Sequence, residues 1–218
     1  MRSRDPEPAR PNLELERSIC REAGVRYVVG LDEAGRGAVA GPVVAAAVIL
    51  PLDAPQALQK LKDVNDSKQL TPRRREQLYD LIVTHALCWG VGRSSPEEID
   101  RLGIIPANAR AMEQALSQLD PGGEFLLIDG RMRLRNVSLP QQSIVRGDSK
   151  SLTIAAASIL AKVSRDRQMI ALDEYFPQYG FGRHKGYCTQ QHVEALTHHG
   201  PCETVHRFSF APIRAPLL

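Results

Sequence analysis

The sequence predicts an α/β protein with one main domain. Stretches rich in β-branched residues alternate along the chain with stretches of helical spacing, an order typical of a sheet covered by helices. With 218 residues, the chain can fill one such core but not two domains of typical size. We expect residues 24–176 to form the main domain, residues 1–23 a disordered or partly helical lead-in, and residues 177–218 a small C-terminal appendage.

The bulk composition narrows the class of protein. The 28 Lys and Arg residues against 25 Asp and Glu leave a net charge of +3, so a polyanionic partner would need a local basic patch. The four cysteines form no CxxC pair, which predicts free thiols in the cytoplasm. The longest nearly apolar stretch, AVAGPVVAAAVILPL, is too short for a membrane helix, and residues 1–12 lack the apolar segment of a signal peptide.

Local patterns predict the elements of the first half. A helix is expected in NLELERSICREAG, ending at Gly24, and buried strands are expected in VRYVVGLD and VVAAAVIL, where apolar residues run on with little alternation. The segment DSKQLTPRRREQLYDLIVTHAL predicts a helix, because Ser67 or Thr71 can cap its start and Pro72 suits its first turn. A short third strand is expected in CWGVGRSS.

The second half continues the alternation. The segment SPEEIDRLGIIPANARAMEQALSQL predicts two helices hinged near Gly103 and Pro106, and a strand is expected in each of EFLLIDG and NVSLPQQSIVRGDSK. The longest helical pattern is SLTIAAASILAKVSRDRQMIALDEYF. From Pro177 onward Gly, His, Pro and aromatic residues prevail, which indicates a lid or appendage.

Acidic residues recur where the strands should end. Asp32 and Glu33 follow YVVGL, Asp129 follows EFLLI, and Asp148 follows SIVRG. Carboxylates gathered at one sheet edge repel each other unless they are protonated or bound to cations, and oxygen ligands suit Mg²⁺ or Mn²⁺. Taken singly, Asp129-Gly130 also fits a simple turn and Asp148 a helix cap. The prediction of a metal site therefore depends on their coincidence.

Five segments in chain order resemble the ribonuclease HII family, the type 2 ribonucleases H. They are GLDEAGRGAVAGPVVAAAVIL, DSKQLT, LLIDG, GDSKSLTIAAASILAKVSRDR and GRHKGY, within roughly residues 24 to 210. The resemblance implies a ribonuclease H-like fold, with a central mixed five-stranded sheet flanked by helices and a C-terminal helical portion over the substrate groove. It also implies a metal-dependent endonuclease that cleaves the RNA of RNA–DNA hybrids and cuts 5′ of single ribonucleotides in duplex DNA, leaving 3′-hydroxyl and 5′-phosphate ends.

The resemblance assigns roles to individual residues. The metal-binding acids implied are the four that the strand ends indicated, Asp32, Glu33, Asp129 and Asp148, holding two Mg²⁺ or Mn²⁺ ions. The substrate-binding residues implied are Gly35, Arg36, Gly37, Lys68, Lys185 and Tyr187. The glycines suit this role, because backbone groups reach a ribose 2′-hydroxyl only where no side chain intervenes. We expect a monomer whose partners are RNA–DNA hybrids and DNA duplexes that contain ribonucleotides.

Several residues have a second interpretation. In isolation, Tyr187 is more often a packing residue than a ligand-binding one. Asp166 is left out of the metal set, because Arg165 and Arg167 flank it inside a helix and ion pairing is the simpler role. Further basic residues are candidates for phosphate contacts only: Arg146, Lys150, Lys162 and Arg183.

Three alternative functions are open at this point. The four-residue spacings of Cys188 with His192 and of Cys202 with His206 fit a structural zinc site. A non-catalytic nucleic-acid-binding protein on a related scaffold would be expected to lack one or more of the acids. Another metal-dependent nuclease or phosphotransferase would not need the GRG and HKGY segments.

Overall fold

The fold is built on a five-stranded mixed sheet. The computed structural model describes residues 10–214, apart from the side chain of Pro212. The strands are β1 (Val28–Ala34), β2 (Val43–Ile49), β3 (Cys88–Ser94), β4 (Phe125–Asp129) and β5 (Gln141–Ile144), in the spatial order β3-β2-β1-β4-β5. Strand β1 pairs antiparallel with β2 and parallel with β4, while β2–β3 is antiparallel and β4–β5 parallel. The expected α/β class and mixed five-stranded sheet are confirmed.

Helices follow the strands in the predicted order. They are α1 (Glu14–Ala23), α2 (Pro55–Lys60), α3 (Pro72–His85), α4 (Pro96–Leu102), α5 (Ile104–Leu116), α6 (Leu152–Tyr175), α7 (Phe181–His184), α8 (Gln190–His199) and α9 (Ala211–Arg214). Short 3₁₀ turns lie at Ser67–Gln69, Gly147–Ser149 and Pro177–Tyr179. Within residues 10–214, none of the helices combines the length and the apolar character that crossing a bilayer requires. Most of the predicted lead-in before α1, residues 1–9, lies outside the described residues.

Local sequence signals set several helix boundaries. Gly24 ends α1 in a left-handed conformation with φ of 67°. The Thr71 side chain caps α3 by accepting a hydrogen bond from the Arg74 backbone N–H. The predicted hinge lies at Gly103, with φ of 82° between α4 and α5, whereas Pro106 sits in the first turn of α5, where proline is tolerated.

Small residues in the central strands let helices pack closely on both faces of the sheet. Every residue of β2 is buried, with Ala46 on the α6 side and Ala45 and Ala47 on the α5 side. In β1, a Cβ on Gly30 would lie 2.3 Å from the backbone carbonyl carbon of Thr153 in α6. The α6 backbone therefore rests directly on β1, which brings the start of α6 close to the end of that strand.

The C-terminal region is attached to the loop between β1 and β2. Its apolar cluster packs on α6 and consists of Tyr179, Phe181, Leu196 and Val205 with Met169 and Ala40. The Gly186 carbonyl accepts hydrogen bonds from the backbone N–H groups of Val39 (2.9 Å) and Ala40 (3.2 Å). The Arg207 backbone N–H donates to the Val39 carbonyl at 2.9 Å. These bonds hold the HKGY segment beside the glycine-rich loop.

Candidate active site

Three carboxylates meet at one edge of the sheet. Parallel pairing of β1 with β4 sets Leu31 beside Ile128, so the next residues, Asp32 and Asp129, emerge at the same edge. Asp148 comes from the turn Gly147–Ser149, whose Gly147 N–H donates to Asp129 Oδ1 at 2.6 Å. Carboxylate oxygens of Asp32, Asp129 and Asp148 all lie within 4.8 Å of one another. The predicted convergence of these three acids is therefore present in the structure.

Burial and mutual repulsion disfavour the charged forms of these carboxylates when no cation is bound. The Asp32 side chain is buried, and burial raises its pKa well above the ordinary value, with further increases from Glu33 and Asp129. Burial also raises the pKa of Asp148, as does the charge of Asp129, while Lys68 lowers it. A divalent cation between the carboxylates would relieve this repulsion. An all-oxygen, anionic donor set fits a hard ion of that kind.

Glu33 lies beside this group rather than within it. Successive strand side chains point to opposite faces, and Glu33 lies next to Asn108 of α5 and to Arg36. Glu33 Oε1 is 3.5 Å from Arg36 Nη1. The Glu33 backbone N–H donates to Asp32 Oδ1 at 2.7 Å. Burial raises the pKa of Glu33, and Asn108 and Arg36 partly offset that increase. Of the four predicted acids, the structure brings three together and leaves Glu33 at their margin.

Lys68 and Asp66 lie on the other side of the carboxylates. Lys68 Nζ is 3.7 Å from Asp148 Oδ2, and its backbone N–H donates to Asp66 Oδ1 at 2.9 Å. Asp66 also raises the pKa of Asp148. These residues line a cleft of about 610 Å³ together with Asp129, Arg146 and Lys150. Sequence reasoning selected Lys68 but missed Asp66, although both stand in the DSK motif.

The absence of a side chain has a different structural consequence at each of the two glycines of the GRG segment. Gly35 has φ of 86°, and a Cβ there would lie 1.8 Å from Arg165 Nε. Gly37 is exposed, and a Cβ built on it would have nothing within 4 Å. Gly35 is thus required by packing beneath the loop, whereas Gly37 leaves the outer surface open to an approaching molecule.

Arg165 is fully buried and hydrogen-bonds to the glycine-rich loop between β1 and β2 from the protein interior. Its Nε donates to the Pro42 carbonyl at 2.9 Å and its Nη2 to the Ala40 carbonyl at 3.1 Å. The neighbouring Asp166 is ion-paired as predicted, at 2.7 Å from Lys162 and 3.9 Å from Arg75. Those partners replace the flanking arginines that the sequence suggested.

Arg207 is a second fully buried arginine under the loop. Its Nε donates to the Gly41 carbonyl at 2.9 Å and its Nη1 to the Arg36 carbonyl at 3.1 Å. Sequence reasoning missed both arginines, since nothing local marks an arginine as buried.

The side chains of Tyr187 and Lys185 point to different parts of the structure. The Tyr187 side chain is exposed at the surface, with the Arg165 guanidinium carbon 5.5 Å from its ring centre, so it lies beside the glycine-rich loop. The Lys185 ammonium donates to the Gly182 carbonyl, and its pKa is lowered by burial and raised by the nearby Asp166. Lys185 is therefore directed towards α6 rather than towards the three carboxylates.

The residues of the alternative zinc site are not gathered into a metal-binding group. His192 Nε2 and His206 Nε2 are 3.1 Å apart inside a buried cluster, but Cys188 is exposed. Across residues 10–214, the grouping whose donor atoms come close enough to share a metal ion is that of Asp32, Asp129 and Asp148.

Comparison with known proteins agrees with this geometry. The family model described as Ribonuclease HII matches residues 29–213. A Ribonuclease HII of Chloroflexus aurantiacus is 50% identical over 208 residues, which is 95% of this chain and 97% of the relative. The crystal structure of the ribonuclease H2 from Pyrococcus horikoshii OT3 has a TM-score of 0.73 and 26% identity, covering 87% of this chain and 96% of that one.

A second solved structure is the RNase HII of Archaeoglobus fulgidus in complex with PCNA. It has a TM-score of 0.70 and 30% identity, and the similarity covers 83% of this chain and 94% of that one. Since the family model spans most of the chain and three of the carboxylates that the sequence indicated converge in the fold, the chain belongs to the ribonuclease HII family and is a hydrolytic endonuclease of the ribonuclease H type.

Proposed function

We propose that this ribonuclease H cuts on the 5′ side of ribonucleotides, both in RNA–DNA hybrids and at single ribonucleotides embedded in duplex DNA. The products carry 3′-hydroxyl and 5′-phosphate ends. The observation that carries the proposal is the position of the open Gly37 in a loop that leads directly from the carboxylates and is hydrogen-bonded to the segment bearing Tyr187. A site that cuts at ribose needs a surface for the 2′-hydroxyl beside its metal ligands.

Asp32, Asp129 and Asp148 are the proposed metal ligands, with Glu33 as a fourth carboxylate at their margin. Two bound Mg²⁺ or Mn²⁺ ions would activate water for attack on the scissile phosphate and neutralise the departing oxygen. Burial and the neighbouring Glu33 and Asp129 raise the pKa of Asp32, so without a cation this side chain favours its protonated form, and a bound cation would favour release of that proton. Lys68 adds a positive charge beside Asp148, where it can hold a phosphate oxygen.

The backbone of Gly35, Arg36 and Gly37 is the proposed reader of the 2′-hydroxyl. Arg207 fixes the Arg36 carbonyl, and Arg165 fills the space below Gly35, so these peptide groups are held in position before substrate arrives. The exposed Tyr187 ring would pack against the sugar of the same nucleotide. Because Gly186 joins its segment to the loop, the two parts of this recognition surface are positioned together.

The test is cleavage mapping on a DNA duplex with one ribonucleotide, with Mg²⁺ and with Mn²⁺. We expect one cut on the 5′ side of the ribonucleotide, a 5′-phosphate on the downstream product, and no cut in the all-DNA duplex. Asp129→Asn serves as the inactive control, with its fold checked by circular dichroism. Cleavage of long hybrids without any cleavage of the single-ribonucleotide duplex would contradict the proposal.

We also infer that the enzyme works as a monomer in the cytoplasm. All of its proposed ligands come from one chain, and its four cysteines are free, as is usual in a reducing compartment. Light scattering of the purified chain with and without duplex tests the first inference, and a ligand-independent dimer would contradict it.

A further inference from the structure

We propose that an arginine-lined groove on the α5 side of the site binds the phosphodiester backbone of the duplex beyond the cleavage point. The groove has a volume of about 840 Å³ and lies between α5 and the segment that follows β4. The arginines that line it are Arg36, Arg110, Arg131, Arg133 and Arg135. The proposal rests on the function proposed above and adds to it a binding surface for the part of the substrate that is not cut.

The charge of the groove favours a polyanion. Its five arginines face a single acidic lining residue, Glu113, which already accepts a hydrogen bond from Asn136 Nδ2 at 3.1 Å. Arg110 is paired with Glu98 at 3.2 Å. Within the described part of the chain, the salt bridges include none from Arg131, Arg133 or Arg135. With an overall charge of only +3, the chain concentrates positive charge here.

The three arginines after β4 are presented from a fixed backbone. Leu134 is fully buried and Met132 is partly buried against the α5 core, so the alternate positions 131, 133 and 135 are exposed. Gln141 of β5 clamps this backbone, since its Oε1 accepts from Leu134 N–H at 2.8 Å and its Nε2 donates to the Leu134 carbonyl at 2.9 Å. Because this backbone is already fixed, binding phosphate does not require the segment that carries the three arginines to become ordered.

The groove is linked to the site through neighbouring residues of the chain. Arg131 stands two residues after Asp129, and Arg36 belongs both to the groove and to the GRG segment. On the opposite side of the carboxylates, Lys68, Arg146 and Lys150 line the second cleft. A strand whose scissile phosphate lies over the acids would therefore have basic side chains on both sides. Such contacts carry affinity and register without reading the base sequence.

The exposed Ile105 and Leu102 also line the groove. Apolar side chains between arginines suit the sugar faces of a nucleic-acid backbone better than they suit an isolated phosphate ion. For this reason we assign the groove to the continuous duplex backbone.

The experiment compares two triple variants. The groove variant is Arg131→Gln, Arg133→Gln and Arg135→Gln. The control variant is Arg17→Gln, Arg21→Gln and Arg26→Gln, three exposed arginines that line a different surface with Pro51 and Leu87 near the start of β1. Both lose three positive charges, so a general electrostatic effect would appear in both. Thermal unfolding of each checks that the fold is intact.

Binding is measured over a salt series with the single-ribonucleotide duplex, in an Asp129→Asn background that prevents cleavage. For the groove variant we expect about tenfold or greater weakening at low salt and a decrease in the slope of log K against log salt of about 2 to 3, since each phosphate contact contributes about 0.9. The control variant should keep the wild-type slope. Equal slopes for the two variants would overturn the proposal.

A length series locates the contact. Duplexes keep the ribonucleotide fixed while one arm is shortened base pair by base pair, first on one side and then on the other. We expect the wild-type affinity to drop as one particular arm is shortened, and the groove variant to be insensitive to that arm. A variant that responds to shortening of both arms as the wild type does would overturn the proposal. Cleavage mapping decides the proposed function separately, because these binding measurements do not depend on catalysis.

Discussion

Arg165 occupies the space that a side chain on Gly35 would need. A Cβ on Gly35 would lie 1.8 Å from Arg165 Nε, and that nitrogen is already committed to the Pro42 carbonyl at 2.9 Å. Gly37, two residues later, has open space on the corresponding side. In the GRG segment, Gly35 is therefore required by packing in the protein interior, whereas the missing side chain of Gly37 affects only the protein surface.

This difference predicts that alanine destabilises the protein at position 35 but not at position 37. Gly35→Ala should lower the free energy of unfolding by about 2 kcal/mol or more, because it combines a clash with a positive φ of 86°. Gly37→Ala should leave stability within about 0.5 kcal/mol of the wild type, and Gly37→Val should depress cleavage of both long hybrids and single-ribonucleotide duplexes. Thermal unfolding and initial rates check both statements. An unstable Gly37→Ala would contradict them.

Asp32→Asn should abolish cleavage and raise the stability of the metal-free protein. The folded-state pKa of Asp32 is raised, so its stabilising contribution is complete below the unfolded-state pKa and is lost as the pH rises through the folded-state value. At pH 7.5 in EDTA we expect the variant to melt about 2–4 °C higher than the wild type, and the difference to vanish near pH 4. Mg²⁺ should then raise the melting temperature of the wild type more than that of the variant.

The measurement is thermal unfolding from pH 4 to 8, with and without Mg²⁺, and Asp166→Asn serves as a control because that acid is ion-paired with Lys162. If Asp32→Asn melts at or below the wild type at pH 7.5 in EDTA, the charged Asp32 carboxylate does not destabilise the metal-free protein. Near wild-type turnover of Asp32→Asn at saturating Mg²⁺ would instead remove Asp32 from the metal site.

Tyr187→Ala should depress cleavage at a single ribonucleotide more than cleavage within a long RNA strand. In the proposed function, the exposed ring beside the glycine-rich loop positions only the nucleotide at the junction, whereas neighbouring 2′-hydroxyls in a long hybrid would supply further contacts. Misplacement of the scissile phosphate by about 1 Å costs on the order of a hundredfold in rate. Tyr187→Phe, which keeps the ring, should retain most activity. Equal losses on both substrates for Tyr187→Ala would indicate that the ring only packs against Arg165.

The C-terminal region should lose stability in mild acid. Burial lowers the pKa of both His192 and His206 to about 4, so protonation favours the unfolded state, and stability falls as the pH drops from about 6.5 towards 4. His192 also hydrogen-bonds through Nδ1 to the Tyr187 carbonyl at 3.0 Å, so the Tyr187 segment should loosen together with α8. The loss should be on the order of 2 kcal/mol per histidine at pH 4.

Hydrogen exchange of residues 177–207 at pH 7 and pH 5 measures this effect, after correction for the intrinsic exchange rate. His206→Gln should reduce the pH dependence, while His198→Gln, on the exposed side of α8, should preserve it. Unchanged protection of this region at pH 5 would show that the buried histidines do not limit its stability.

The sequence determined much of the fold, because the relevant signals are local. Runs of β-branched residues mark β1 and β2, Thr71 and Pro72 start α3, and Gly24 ends α1, all within a few residues of the feature they cause. The acids could be selected for a similar reason, since strand ends are visible in the sequence and the C-terminal ends of parallel strands share one edge. Motifs in chain order then indicated the family.

Only the tertiary structure decided which of these side chains meet. Asp148 joins Asp32 and Asp129 through a turn fixed by the bond from Gly147 to Asp129, while Glu33 faces α5. The buried Arg165 and Arg207, and the groove arginines other than Arg36, were not predicted, because an arginine has no local mark of burial or of its neighbours. Their partners lie far away in sequence, with Arg207 and the Arg36 carbonyl 171 residues apart, so such contacts exist only once the sheet and its helices have assembled.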